Sequence, residues 1–402
     1  MNMQFRYWLR LSIFNFLLVA LLGVTLRYKI VYSLPFLDQK HLLHAHSHFA
    51  FAGWISQLLM AFMVYYLSTY KPEAFKRYRA VLYANLLSAY GMLFSFPFEG
   101  YGSISITFST LSILVSYWFA VQYWRDLNGL AQKSTTHLWF KAANLFAVIS
   151  SLGAFALAWM MANKTIHQNW YLASTYFFLH FQYNGWFLFG CAGLFNWLLI
   201  KQHIHVKAAR NIFWLFAIAC IPAYFLSALW LPISTAVYVL VVVAACLQMI
   251  GWILFVMKVK PELKPVIAHL PAISKWLIGL SAAALTIKLL LQLGSTIPFL
   301  SDLAFGFRPI VIGYLHLVLL AVISLFLIGV AIAFGQLQVN RTLASGAIVF
   351  TSGVFLNELL LMIQGTAALS YNNVPYTNEL LLAIALIMFL GILLMNLSQK
   401  RS

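Results

Sequence analysis

Apolar residues recur along this chain in runs of about 20, the length that crosses the hydrocarbon core of a bilayer. The runs lie near 9–26, 46–69, 78–98, 104–124, 139–161, 169–200, 211–230, 233–257, 274–294, 309–334, 343–366 and 378–397. Short polar gaps separate them. No long soluble loop, low-complexity tract or convincing internal repeat interrupts the series. The pattern predicts an all-α integral membrane protein, a single polytopic domain over 1–402 with about twelve transmembrane helices. The 169–200 run exceeds what a bilayer requires and is expected to tilt or protrude. Pro222 should interrupt the seventh helix. The first run follows Arg6 and Arg10 as a secretory signal would, but it lacks a small-residue cleavage site and continues into Leu26–Arg27–Tyr28. It reads as a retained helix.

Composition supports the same class. Hydrophobic residues make up 63% of the chain and charged residues 8%, against roughly 25% charged in a soluble domain. So few charges leave too little polar surface to face water. The formal net charge of +17 would suit a nucleic-acid partner only if Lys and Arg were gathered on a polar domain. Instead they sit in the gaps between runs. If successive helices alternate direction, one side of the membrane receives Arg6, Arg10, Lys71, Lys76, Arg77, Arg79, Arg125, Lys133, Lys141, Lys201, Lys207, Arg210, Lys258, Lys260, Lys264, Lys275, Arg341, Lys400 and Arg401. The other receives Arg27, Lys29, Lys40, Lys164 and Arg308. Lys and Arg accumulate on cytoplasmic loops, so both termini are expected in the cytoplasm. The expected location is the inner (cytoplasmic) membrane of a bacterium, with the lipid bilayer as partner and no nucleic acid. Cys191, Cys220 and Cys246 lie inside apolar runs without metal-ligand spacing and are expected to pack as small hydrophobes.

The histidines carry the candidate chemistry. Of the eleven, His41, His137, His167, His203, His205 and His269 are expected in loops or at interfaces. His44, His46 and His48 open the second run, His180 lies in the sixth and His316 in the tenth; all three runs enter from the outer face. His44 and His48 share a helix face at i, i+4 while His46 points elsewhere. An ionisable side chain at membrane depth is costly and marks a functional site by default, and imidazole is the commonest protein metal ligand. His180 alone would serve equally well as an interhelical hydrogen-bonding group. Three histidines within five residues, with two more on helices entering from the same side, favour a cofactor. Among the acids Glu358 stands well within a helix beside Asn357, as a possible relay group or partner of Lys288. Glu99 is expected at an interface.

The segments His44-Ala-His-Ser-His48-Phe-Ala-Phe-Ala-Gly-Trp54 and Gly313-Tyr-Leu-His316-Leu-Val318 resemble parts of subunit I of the haem–copper oxidases and nitric oxide reductases. The resemblance extends over the twelve-helix layout. It implies a low-spin, b-type haem ligated by His316 and a helix 2 histidine, His48 first, with His44 or His46 as alternatives. Arg308, Lys288 and Arg27 or Lys29 would meet the propionates. His180 falls where the family places one copper ligand. The departures are plain: the 211–230 run has no histidine where the family has an adjacent copper-binding pair, and Tyr314 occupies the position of the high-spin haem ligand. The resemblance therefore implies a haem-binding redox or gas-responsive protein without a functional copper centre, taking electrons from a donor protein or a quinol. Two other readings stand beside it. One is a non-haem iron oxygenase acting on a lipid such as a carotenoid, with His48, His180 and His316 on one iron. The other is a cofactor-free transporter or assembly factor.

Overall fold

The computed structural model describes residues 2–263, 269–301, 307–369 and 372–399. Lys264, Lys400 and Arg401, assigned by loop charge to the cytoplasmic side, lie outside them. The described residues contain helices and no strands. In hydrocarbon every backbone polar group must find a partner within the protein, which a helix provides along its own length.

Among the described residues ten helices are long and apolar enough to cross a membrane: α1 (Met3–Val31), α2 (Gln39–Ser68), α3 (Ala74–Glu99), α4 (Ser103–Asn128), α5 (Thr135–Ala162), α8 (Thr235–Glu262), α9 (Ala272–Gly294), α10 (Arg308–Ala333), α11 (Arg341–Leu369) and α12 (Thr377–Ser398). The chain is thus a multi-pass membrane protein. Between α5 and α8 stand two helices of different character. α6 runs over 168–201, with the polar stretch His180, Gln182, Tyr183 and Asn184 near its middle. α7 (Ala209–Cys220) passes at Ile221 into a 3₁₀ turn, Pro222–Ser227. The break falls where proline removes an N–H from the helical ladder, as the sequence predicts.

Three histidines expected in loops are helical, His269 among them. His41 belongs to the first turn of α2, because the Asp38 carboxylate accepts from the N–H groups of Lys40 and His41 and starts the helix there. His137 lies in the first turn of α5 and is buried.

The chain divides into two compact units. The first takes Met1–Leu130, Pro271–Leu277 and Leu327–Ser402. Its core is the C-terminal half of α2, where Leu58, Leu59, Ala61, Phe62, Met63 and Val64 are fully enclosed. α1 and α3 pack against α2, and α12 against both α1 and α11. The α11–α12 contact depends on glycine: a Cβ on Gly391 would stand 2.4 Å from the Phe350 nitrogen, and one on Gly346 2.8 Å from the Gly391 oxygen. Small residues let membrane helices approach this closely. The second unit takes Ala131–Leu270 and Ile278–Phe326. α5 packs along α6, and α7 with its 3₁₀ extension packs on α8 through Ala219, Ala223, Leu226, Val241, Ala244 and Ala245.

Candidate functional site

Besides the 3₁₀ turn that ends α8, three helices among the described residues depart from regular α-helix. Each contains a π-helical segment: Ala50–Ser56 in α2, Phe181–Phe187 in α6 and Leu317–Ser324 in α10. A π segment widens the helix by one residue per turn and frees carbonyls from the i→i−4 ladder; such bulges occur frequently at functional sites. Each of these begins one or two residues after a candidate histidine, namely His48, His180 and His316. Hydropathy carries no trace of this feature. A local repeat does: His48-Phe-Ala-Phe-Ala-Gly-Trp54 and His180-Phe-Gln-Tyr-Asn-Gly-Trp186 share His, Phe, Gly and Trp, with an aromatic ring at the fourth position. The chain therefore holds a short internal repeat where the sequence reading found none. α10 keeps the histidine and the π segment but not the Phe, Gly and Trp.

The freed carbonyls are met by side chains of neighbouring helices. In the first unit Asn85 Nδ2 donates to the Ala52 oxygen at 3.0 Å and also to Gln57 Oε1. Asn15 Nδ2 donates to the Gly53 oxygen at 2.7 Å, and is itself held by the Tyr90 hydroxyl. In the second unit Ser281 Oγ donates to the Val322 oxygen at 2.6 Å. Asn15, Asn85 and Ser281 are buried and had no assigned role in the sequence.

Within the first unit the three α2 histidines face two ways. His44 and His48 look toward the turn between α3 and α4. There His48 stacks on Phe96 with centroids 4.6 Å apart, and its Nε2 lies 3.2 Å from the Tyr101 hydroxyl. His44 meets the Tyr101 ring at 4.6 Å, and its buried Nε2 has no hydrogen-bond partner among the described residues. Gly100 makes this turn possible. Its φ is +58°, and a Cβ would fall 2.4 Å from His41 Nε2. His46 points the other way, to α1, with Nδ1 3.1 Å from the Val19 oxygen. A carbonyl only accepts, so Nδ1 carries the proton and Nε2 of the neutral ring keeps the lone pair.

In the second unit His180 is fully enclosed. Its Nε2 donates to the Cys220 oxygen at 2.8 Å, and its Nδ1 accepts from Asn184 Nδ2 at 3.1 Å. Both ring nitrogens are thus engaged by the protein. His316 Nδ1 donates to the Ile312 oxygen one turn back, the same tautomer as His46. The π segments that follow His180 and His316 touch, and Tyr183 meets Tyr314 edge to face at 6.4 Å. Arg308 is exposed at the start of α10. Lys288 is buried, 1% exposed, and its Nζ has no hydrogen-bond partner among the described residues. Glu358, in the first unit, accepts from Asn357 Nδ2 at 3.0 Å. No group of three or more His, Cys, Asp or Glu side chains stands close enough to hold one metal ion among the described residues.

No family model and no curated protein matches this chain.

Proposed function

We propose that this chain is a haem-binding redox or gas-responsive membrane protein with a twelve-helix, haem–copper oxidase subunit I-like architecture and no functional copper centre. α6 and α7 supply the two membrane passages beyond the ten apolar helices, and both termini face the cytoplasm. The observation that carries the reading is the tautomer of two histidines. His46 and His316 each give Nδ1–H to a backbone carbonyl, Val19 and Ile312 respectively. Metal-ligating histidines nearly always donate their second ring N–H in this way, which orients the ring and raises its basicity. His46 therefore joins His48 as a helix 2 candidate, and His316 is the candidate of the second unit. A haem held by two imidazoles exchanges single electrons.

The residues present suit such a group in two further respects. Lys288 offers a buried amine without a hydrogen-bond partner among the described residues, which a propionate would hold protonated, and His44 offers an orphaned ring nitrogen. Copper is poorly served. α7 carries no histidine, and His180 spends both nitrogens inside the protein. A non-haem iron would need three ligands in one group, and the described His, Cys, Asp and Glu side chains form none.

Absorption spectroscopy with metal analysis on detergent-purified protein tests the proposal. A Soret band that is lost or shifted in His316→Ala, and in His46→Ala or His48→Ala, supports it. Iron without porphyrin, dependent on His180, would transfer the assignment to the oxygenase reading. Protein free of both haem and iron after expression with ample haem would leave a transporter or assembly factor.

A further inference from the structure

We propose that the groove between α3 and α4 binds one anionic phospholipid by its phosphate. The groove is open, about 630 Å³, and is lined by Arg77, Tyr117, Trp118, Val121, Gln122 and Arg125. It lies wholly within the first unit and does not involve the histidines. Its polar end is built around Asp126, which is 4% exposed and already saturated. Lys71 Nζ stands 2.9 Å from the carboxylate, Arg77 Nη1 3.1 Å, and the Tyr78 hydroxyl donates to it at 2.8 Å. Three donors on one carboxylate leave the remaining N–H groups of Arg77 facing the groove with a local excess of positive charge. Arg125 adds a second guanidinium, exposed and without an ion pair among the described residues. Gln122 Nε2 donates to the Arg77 carbonyl and ties the two helices together at this level. Guanidinium groups bind phosphate oxygens through paired, charge-assisted hydrogen bonds.

The rest of the groove matches the apolar part of the same ligand. Trp118 is 45% exposed and Val121 53%; Trp118 stands seven residues above Arg125, roughly 10 Å along the helix. Arg125 is three residues from the end of α4 at Asn128, so the guanidiniums sit at a membrane–water interface while Trp118 reaches acyl depth. Charge at one end and outward-facing apolar side chains at the other describe a lipid better than a soluble anion. Basic residues at a membrane surface attract anionic headgroups, and the paired arginines here add a geometry that diffuse attraction lacks.

The test is a titration of the purified full-length protein, in neutral detergent, with phosphatidylglycerol, phosphatidylcholine and inorganic phosphate. Bound lipid is read by native mass spectrometry, and stability by melting temperature. Phosphatidylglycerol is expected to stay bound and raise the melting temperature saturably, and phosphatidylcholine to do neither. Arg125→Gln, which removes no ion pair, is expected to weaken phosphatidylglycerol binding at least tenfold while folding normally. Arg77→Gln/Arg125→Gln is expected to erase the preference. Equal binding of the two lipids, or wild-type binding by Arg125→Gln, would overturn the proposal. Inorganic phosphate matching phosphatidylglycerol at equal concentration would overturn the lipid assignment in favour of a soluble anion.

Discussion

His180 Nε2 donates to the backbone carbonyl of Cys220 across 2.8 Å, joining the widened turn of α6 to the break in α7. The bond links two departures from regular helix, the π segment from Phe181 and the 3₁₀ turn from Pro222. Asn184, four residues on, closes the other ring nitrogen. Truncating the ring would take a hydrogen-bond partner from a carbonyl and an amide in a fully buried site. The expected cost of His180→Ala is about 1–3 kcal/mol, measured as lowered stability in a mild-detergent or SDS titration. His180→Gln should recover part of it. In haem-loaded protein the absorption spectrum of His180→Ala should match wild type, since both nitrogens are occupied in the fold.

The helix 2 histidines are expected to separate by spectroscopy. His46 and His48 lie on opposite faces of α2, one against Val19 and the other against Phe96 and Tyr101. Only one can be the axial ligand of a single haem. His46→Ala should abolish the low-spin spectrum, and His48→Ala should shift it without loss. The reverse pattern would move the ligand to the Tyr101 face. His316→Ala should abolish it in either case.

Asn85 is expected to matter for stability beyond its size. It is 1% exposed and serves both the Ala52 carbonyl and Gln57. Asn85→Leu would leave that carbonyl only the Gln57 backbone N–H and would strip Gln57 Oε1 of its donor. Interhelical polar contacts in membranes are worth roughly 0.6–2 kcal/mol each, so a loss of about 1–2 kcal/mol is expected. Thermal unfolding of Asn85→Leu beside Asn85→Asp, which keeps an acceptor but not the donor, would show whether the lost donation to Ala52 is responsible.

Much of the layout was legible because a bilayer demands long apolar helices. Ten of the twelve expected spans coincide with helices long and apolar enough to cross a membrane, and the Pro222 interruption falls where chain chemistry places it. Two kinds of feature escaped. His41 and His137 read as loop residues because hydropathy registers apolar residues, whereas a helix starts at its cap, several polar residues earlier. The π segments escaped because they alter hydrogen-bond spacing without altering hydropathy. The His-Phe-x-aromatic-x-Gly-Trp repeat at His48 and His180 was the available clue. The environment of His180 was beyond reach, since its partner is a main-chain oxygen forty residues away that no side-chain pattern announces.

Asp38 makes the start of α2 sensitive to acid. Its carboxyl is held below its ordinary range, first by the His41 N–H, with the Lys40 N–H adding to it. A depressed folded value means the charged cap contributes above the unfolded value, about 3.9. That contribution is lost as pH falls through the lower folded value. Hydrogen exchange should therefore show the His41 and Leu42 amides protected at neutral pH and loosened below about pH 4, once intrinsic rates are corrected. Asp38→Asn keeps an acceptor at the cap and removes the charge. Its protection should not change over the same range.

Lys288 presents the opposite problem, a buried amine with nothing to complete it. Its Nζ is buried and lacks a hydrogen-bond partner among the described residues, while Ile287, Leu290 and Leu291 beside it face outward. An isolated amine in such surroundings destabilises the fold unless a ligand offsets it. Lys288→Met keeps the length of the side chain and discards the amine. In protein prepared from haem-deficient cells the substitution should raise the melting temperature by a few degrees, within the +0.5–2 kcal/mol typical of single stabilising changes. In haem-loaded protein the gain should vanish or reverse if a propionate meets Nζ. An equal gain in both preparations would remove Lys288 from the haem site, and a loss in both would show that the amine has a partner within the fold.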